Sequence, residues 1–152
     1  MKPSTKVELA IAGMIEMASS SPSKPLSLAV LAEKQSISLS YLEQVFASLR
    51  RYGLIASVRG PGGGYLLSRP AHQINTGSIV LAIEGKPPNS NGVTVNQDAA
   101  ASNEVENVLD AFWARMSDEV LQLYSNVSLQ DIIDGKITMV SRISEIAPQA
   151  AE

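Results

Sequence analysis

Residues 60–64 read Gly-Pro-Gly-Gly-Gly and stand between two short apolar runs, Leu54-Ile55-Ala56-Ser57-Val58 and Tyr65-Leu66-Leu67. Glycine supplies the positive φ angles that sharp turns need, so the chain can reverse its direction here within a few residues. Two apolar runs joined this way read as a β-hairpin with Arg59 to Gly64 at its tip. The same pattern argues against a nucleotide cradle. A Walker loop needs a lysine after its last glycine to reach the phosphates, and Tyr65 stands there instead. A dinucleotide loop leads into a helix whose N-terminus faces the pyrophosphate, whereas a second strand follows this one.

Three helical patterns precede the hairpin. Val7, Ile11, Met14, Ile15 and Ala18 recur at helical spacing, which predicts an amphipathic helix over residues 4–19. After the Ser19–Ser23 break, Ser27 reads as the N-cap of a short helix ending near Gln35, with Leu26 and Leu31 as a hydrophobic staple. Ser38 caps a third helix, and Gly53 follows its last turn. On that helix Leu39, Leu42, Val45, Phe46 and Leu49 share one side, while Ser40, Tyr41, Glu43, Gln44, Ser48 and Arg51 share the other. Three helices followed by a hairpin make a winged helix-turn-helix. Residues 78–83 add a short fourth helix.

Beyond it the pattern changes. Residues 85–103 are rich in Pro, Gly and Asn and carry no period, as in a long loop. From Glu104 an apolar stripe runs through Val105, Val108, Leu109, Phe112, Met116, Val120, Leu123 and Val127, widened by Trp113 and Tyr124. Ser128 caps a last short helix that Gly135 ends. The expected fold class is mainly α with a small β-hairpin wing. Residues 1–83 form the winged helix-turn-helix, 84–103 a flexible loop, and 104–152 a dimerisation helix with a C-terminal segment.

Charge is divided along the same line. The 152-residue chain has net charge -3, yet residues 1–75 hold eight Lys/Arg against four acids and the remaining 77 hold four against eleven. A basic half joined to an acidic half suits a polyanion-binding module with a second function attached. Hydrophobic residues are 45% and charged residues 18% of the chain, ordinary for a folded domain. No apolar run approaches the roughly 20 residues of a membrane span, and the N-terminus has no signal-peptide pattern, so a cytoplasmic protein is expected. There are no cysteines and one histidine, His72, which excludes disulfides and thiolate metal sites and reads as a loop residue. No Ser/His/Asp set, metal spacing or phosphate loop points to an enzyme.

The exposed chemistry fits double-stranded DNA. Gln44 can pair with adenine N6 and N7, Glu43 can accept from cytosine N4, and Ser40 can meet several bases in a major groove. Thr5, Lys6, Ser38, Tyr41 and Arg50 suit backbone phosphates, which position without reading sequence. Arg59, carried by Gly60, Pro61 and Gly62 at a slim tip, suits a minor groove whose narrowness concentrates negative potential. The stripe Val105, Val108, Leu109, Phe112, Met116, Val120 and Leu123 outruns what a winged helix can cover, so a homodimer on a near-palindromic operator is expected. The other reading is a winged-helix module for small-molecule or protein interaction, since fold alone does not fix function.

The block ISLSYLEQVFASLRRYGLIASVRGPGGGYLLSRP, residues 37–70, closely resembles the IscR-type family of bacterial iron-sulfur cluster regulators. The similarity covers most of residues 2–135, and LSYLEQ followed by VRGPGGGY is its most specific part. The resemblance implies a dimeric winged-helix transcription regulator whose long helix makes the dimer. It also implies an iron-sulfur cluster held by three cysteines and a histidine, and here the chain departs from the pattern. Where the family has Cys-x-x-His ahead of Ala-x-Trp, this chain has Asn107-Val108-Leu109-Asp110 ahead of Ala111-Phe112-Trp113. Amide and carboxylate oxygens are poor ligands for a cluster held by soft thiolates, so no cofactor and no metal are expected, and the effector is left open.

Overall fold

The structure is a computed structural model that describes residues 3–21, 24–85 and 104–136. In chain order its elements are α1 (Thr5–Ser19), α2 (Leu28–Gln35), α3 (Leu39–Arg51), β1 (Ile55–Val58), β2 (Gly64–Leu67), a 3-10 turn (Ala71–Gln73), α4 (Thr76–Glu84), α5 (Glu104–Ser125) and α6 (Leu129–Ile133). Residue Glu84 thus belongs to α4, while 86–103, nearly all of the expected loop, and 137–152 lie outside the described residues.

One core joins these elements. Met14 of α1, Leu31 of α2, and Leu42, Phe46 and Leu49 of α3 meet Leu54 and Ile55 at the start of the hairpin, Ile74, Ile79 of α4 and Leu129 of α6, all buried. On α1 the most buried line is Val7, Ala10, Met14 and Met17, with Ile11, Ile15 and Ala18 at its margin. Gly13 allows this packing, because a Cβ there would come within 2.5 Å of the Phe46 ring. The helix ends follow local chemistry: Ser38 Oγ accepts the Tyr41 N–H at 3.2 Å, and Asn75 Oδ1 accepts the Ser78 N–H at 2.8 Å. Ser128 and Asp131 form a reciprocal capping box on α6.

Several expectations are corrected. Leu39 was placed with the core but is 41% exposed. It is the first residue of α3, and side chains lean toward the N-terminus of their helix, so it reaches past the helix end and off the core. Ser27 occupies the N-cap position of α2 without a side-chain cap bond. The chain before it is held differently, by Leu26 exchanging both backbone hydrogen bonds with Tyr65 of β2 at 2.8 and 2.9 Å. Val127 lies beyond the end of α5, in the turn to α6, where its carbonyl accepts the Thr76 N–H.

Candidate nucleic-acid interface

The placement of α3 follows from its two faces. Leu42, Val45, Phe46 and Leu49 are buried, which turns Ser40, Glu43, Gln44, Arg50 and Arg51 to the surface. Ser38, at the cap, is exposed, and Tyr41 is half-buried beside it. Thr5 and Lys6 are exposed on the first turn of α1. Lys6 lines a cleft with Gln44, so the structure brings one expected phosphate contact next to one expected base contact.

The wing is an antiparallel pair in the register Ile55↔Leu67 to Val58↔Gly64. Its tip closes with the Gly63 N–H donating to the Gly60 carbonyl at 2.9 Å. Gly60 and Gly62 have φ of 103° and 74°, the left-handed region that L side chains resist. At Gly63 the requirement is space, because a Cβ would collide with the carbonyl oxygen of Val58. Arg59, Gly60, Pro61 and Gly62 are all exposed, and among the described residues no carboxylate pairs with Arg59.

Two contacts fix this wing relative to α3. Tyr65 packs edge-on against Phe46, with ring centroids 5.6 Å apart and planes at 64°. The Leu54 N–H donates to the Leu49 carbonyl at 3.0 Å, so β1 starts directly from the last turn of α3. The sequence reading missed the anchoring part of Tyr65 and the Leu26 pairing. A single aromatic after a glycine run carries no sign of what it will touch.

The long helix has two sides. Ala114, Ser117, Val120, Leu121 and Tyr124 are half-buried, whereas Val105, Val108, Leu109, Phe112, Trp113, Met116 and Leu123 are exposed. At 3.6 residues per turn the centres of these two sets lie about a third of a turn apart. Val120 and Tyr124, read as part of one stripe with Phe112, therefore belong to the side that packs within the chain; Trp113 shares their line, about 20° from each, and is open because it stands nearer the N-terminal end, where residues 105–113 are all exposed. Phe112 and Trp113, half or more exposed at 50% and 61%, meet edge to face at 5.0 Å. The inner side rests on α4 through a close joint, in which Thr76 Oγ1 donates to the Tyr124 carbonyl and Gly77 lies against Ser125.

Over residues 3–135 the sequence matches the family model described as Rrf2, iron-dependent transcriptional regulator. The chain belongs to the Rrf2 family. It is 38% identical over 137 residues to the HTH-type transcriptional regulator IscR of Cronobacter sakazakii, an alignment covering 90% of this Rrf2 chain and 82% of that protein. Its fold is similar to that of CymR, the global cysteine regulator of B. subtilis, with TM-score 0.66 and 30% identity over 89% of this chain and 98% of that one. IscR of T. potens is similar too, with TM-score 0.65 and 28% identity over 95% and 96%. These relatives are transcription regulators rather than enzymes, and this Rrf2 chain is a DNA-binding transcription regulator of the winged-helix type.

The family's description names iron, and the residues present do not fit a thiolate-held centre. The chain has no cysteine. His72 is exposed on the 3-10 turn, and among the described residues no group of three or more His, Asp or Glu could hold a metal ion. No helix among the described residues is long and apolar enough to cross a membrane.

Proposed function

We propose that this Rrf2 chain regulates transcription as a cytoplasmic homodimer on a near-palindromic operator, without a thiolate-held iron-sulfur cluster. The observation that carries the reading is the outer side of α5. Its exposed apolar residues run along a helix of 22 residues, about 33 Å at 1.5 Å per residue, and are left open by their own chain. A patch of that length is more than soluble monomers leave open, and a second copy would cover it through the same residues on both sides. The dimer would present two α3 helices to major grooves one or more helical turns apart.

Within each half, Ser40, Glu43 and Gln44 read base edges, and Thr5, Lys6, Ser38, Tyr41 and Arg50 hold the backbone. Arg59 with Gly60, Pro61 and Gly62 enters the minor groove. Selection of bound duplexes from a random-sequence DNA pool tests the whole reading. Two inverted half-sites at a fixed spacing are expected, with affinity falling steeply as salt rises because counterions are released from the neutralised phosphates. Recovery of a single half-site, or a flat salt response, overturns it. Anaerobic reconstitution with iron and sulfide tests the cofactor: no stoichiometric visible chromophore is expected.

A further inference from the structure

A cleft of about 310 Å³ opens between the first turn of α1, the second half of α3 and the end of α4, and its wall includes Lys6, Gln44, Ser48, Arg51 and Ile83. Its charge comes from two cations, Lys6 on α1 and Arg51 on α3. Ser48 Oγ donates to the Gln44 carbonyl at 3.3 Å, which occupies its one hydroxyl proton. Among the described residues no carboxylate lines the cleft, and Glu84, the neighbour of Ile83, accepts the Ser4 N–H at 3.3 Å. Among the described residues neither Lys6 nor Arg51 is paired with an acid. Two cations held beside an apolar wall attract an anion, and the guanidinium fork matches the oxygens of a phosphate.

The position of Arg51 along α3 says which phosphate. At roughly 100° per residue Arg51 falls about 20° from Ser40 and about 20° from Gln44, two of the three base-reading residues, whereas Arg50 falls about 20° from Glu43, the third, on the side away from the cleft. Arg51 is also about 10.5 Å further along the axis than Gln44. The major groove is about 12 Å wide and 8.5 Å deep, so a helix inserted by its N-terminal half brings a residue that far along to the phosphate wall.

We infer that the cleft between α1, α3 and α4 is a clamp for one phosphodiester of the DNA backbone, with Lys6 and Arg51 as its two cations. The inference rests on the DNA-binding reading and adds to it Arg51 as a positioning residue. The test uses the full chain, the duplex recovered from the random pool, and a scrambled duplex of equal length and composition. Arg51→Gln is expected to weaken both duplexes by a similar factor and leave the recovered motif unchanged. The slope of log affinity against log salt should fall by about 0.9, so that the advantage of the parent chain shrinks about 3.5-fold between 50 and 200 mM salt.

Arg51→Lys, which keeps the charge, should restore the slope. Lys6→Gln, on α1, carries the same expectation as Arg51→Gln and serves if that variant folds poorly. An unchanged slope in a variant that melts like the parent, beside a steep slope in the parent, overturns the clamp and leaves DNA binding standing. A loss confined to the specific duplex also overturns it, because a phosphate contact carries no sequence information. A flat response in the parent overturns the DNA reading and the clamp with it.

Discussion

Arg59 sits where the backbone turns with φ above 70° at Gly60 and Gly62, and Pro61 is the one side chain among residues 60–64 of the tip that carries it. Arg59→Ala is expected to weaken binding to the specific duplex by a few kcal/mol at most, with the loss greatest where the minor groove is narrow. Fluorescence anisotropy with A·T-rich and G·C-rich flanks measures it, and equal affinity for both proteins on both duplexes would remove Arg59 from the interface. Asp131 caps α6 reciprocally with Ser128. The Ser128 hydroxyl and then the Ser128 backbone N–H donate to its carboxylate and hold its pKa below the ordinary value. A carboxyl with a depressed folded-state pKa stabilises the fold fully above its unfolded pKa, about 3.9, and loses that contribution as pH falls through the folded value. Urea midpoints should therefore separate the parent from Asp131→Asn most at neutral pH and converge in acid below that range. Arg59 beside its glycines and the capping Ser128 were visible in sequence, because cap and turn chemistry act over a few residues, whereas the reciprocal part of Asp131 was not read there.

The elements were legible to within a residue or two wherever amphipathic period and caps agreed, as for α3 between Ser38 and Gly53. What the period did not give was rotation. The expected face of α1 was displaced toward Ile11 and Ile15, because apolar residues at the margin of a face look the same in sequence as those at its centre. The α4–α5 joint was not legible at all, since glycine and serine carry no hydrophobic signal. A Cβ on Gly77 would press on the Ser125 hydroxyl and come within 3.1 Å of its Cα. Gly77→Ala is therefore expected to destabilise the fold by about 1–3 kcal/mol through overpacking, read as a lower urea midpoint at an unchanged slope.

At the scale of the whole molecule the exposed side of α5 is the feature that asks for a partner. The parent is expected to sediment as a dimer and Phe112→Glu as a monomer at the same concentration, with binding to a two-half-site duplex falling toward that of a single half-site. Trp113 is the one tryptophan of the chain and neighbours Phe112, so its emission reports burial of this surface directly. An unchanged sedimentation coefficient in Phe112→Glu would move the interface elsewhere. The sequence by itself determined the helix order, the hairpin, the caps Ser38 and Ser128 and the absence of thiolates, because each is set by residue type and spacing within a short stretch. Only the tertiary structure decided that Tyr65 and Leu26 anchor the wing, that α5 packs Val120 and Tyr124 within the chain and leaves Phe112 and Trp113 open, and that Lys6 and Arg51 line one cleft. Those depend on which elements meet in space, and a one-dimensional pattern holds that information only as faces that could be covered, not as what covers them.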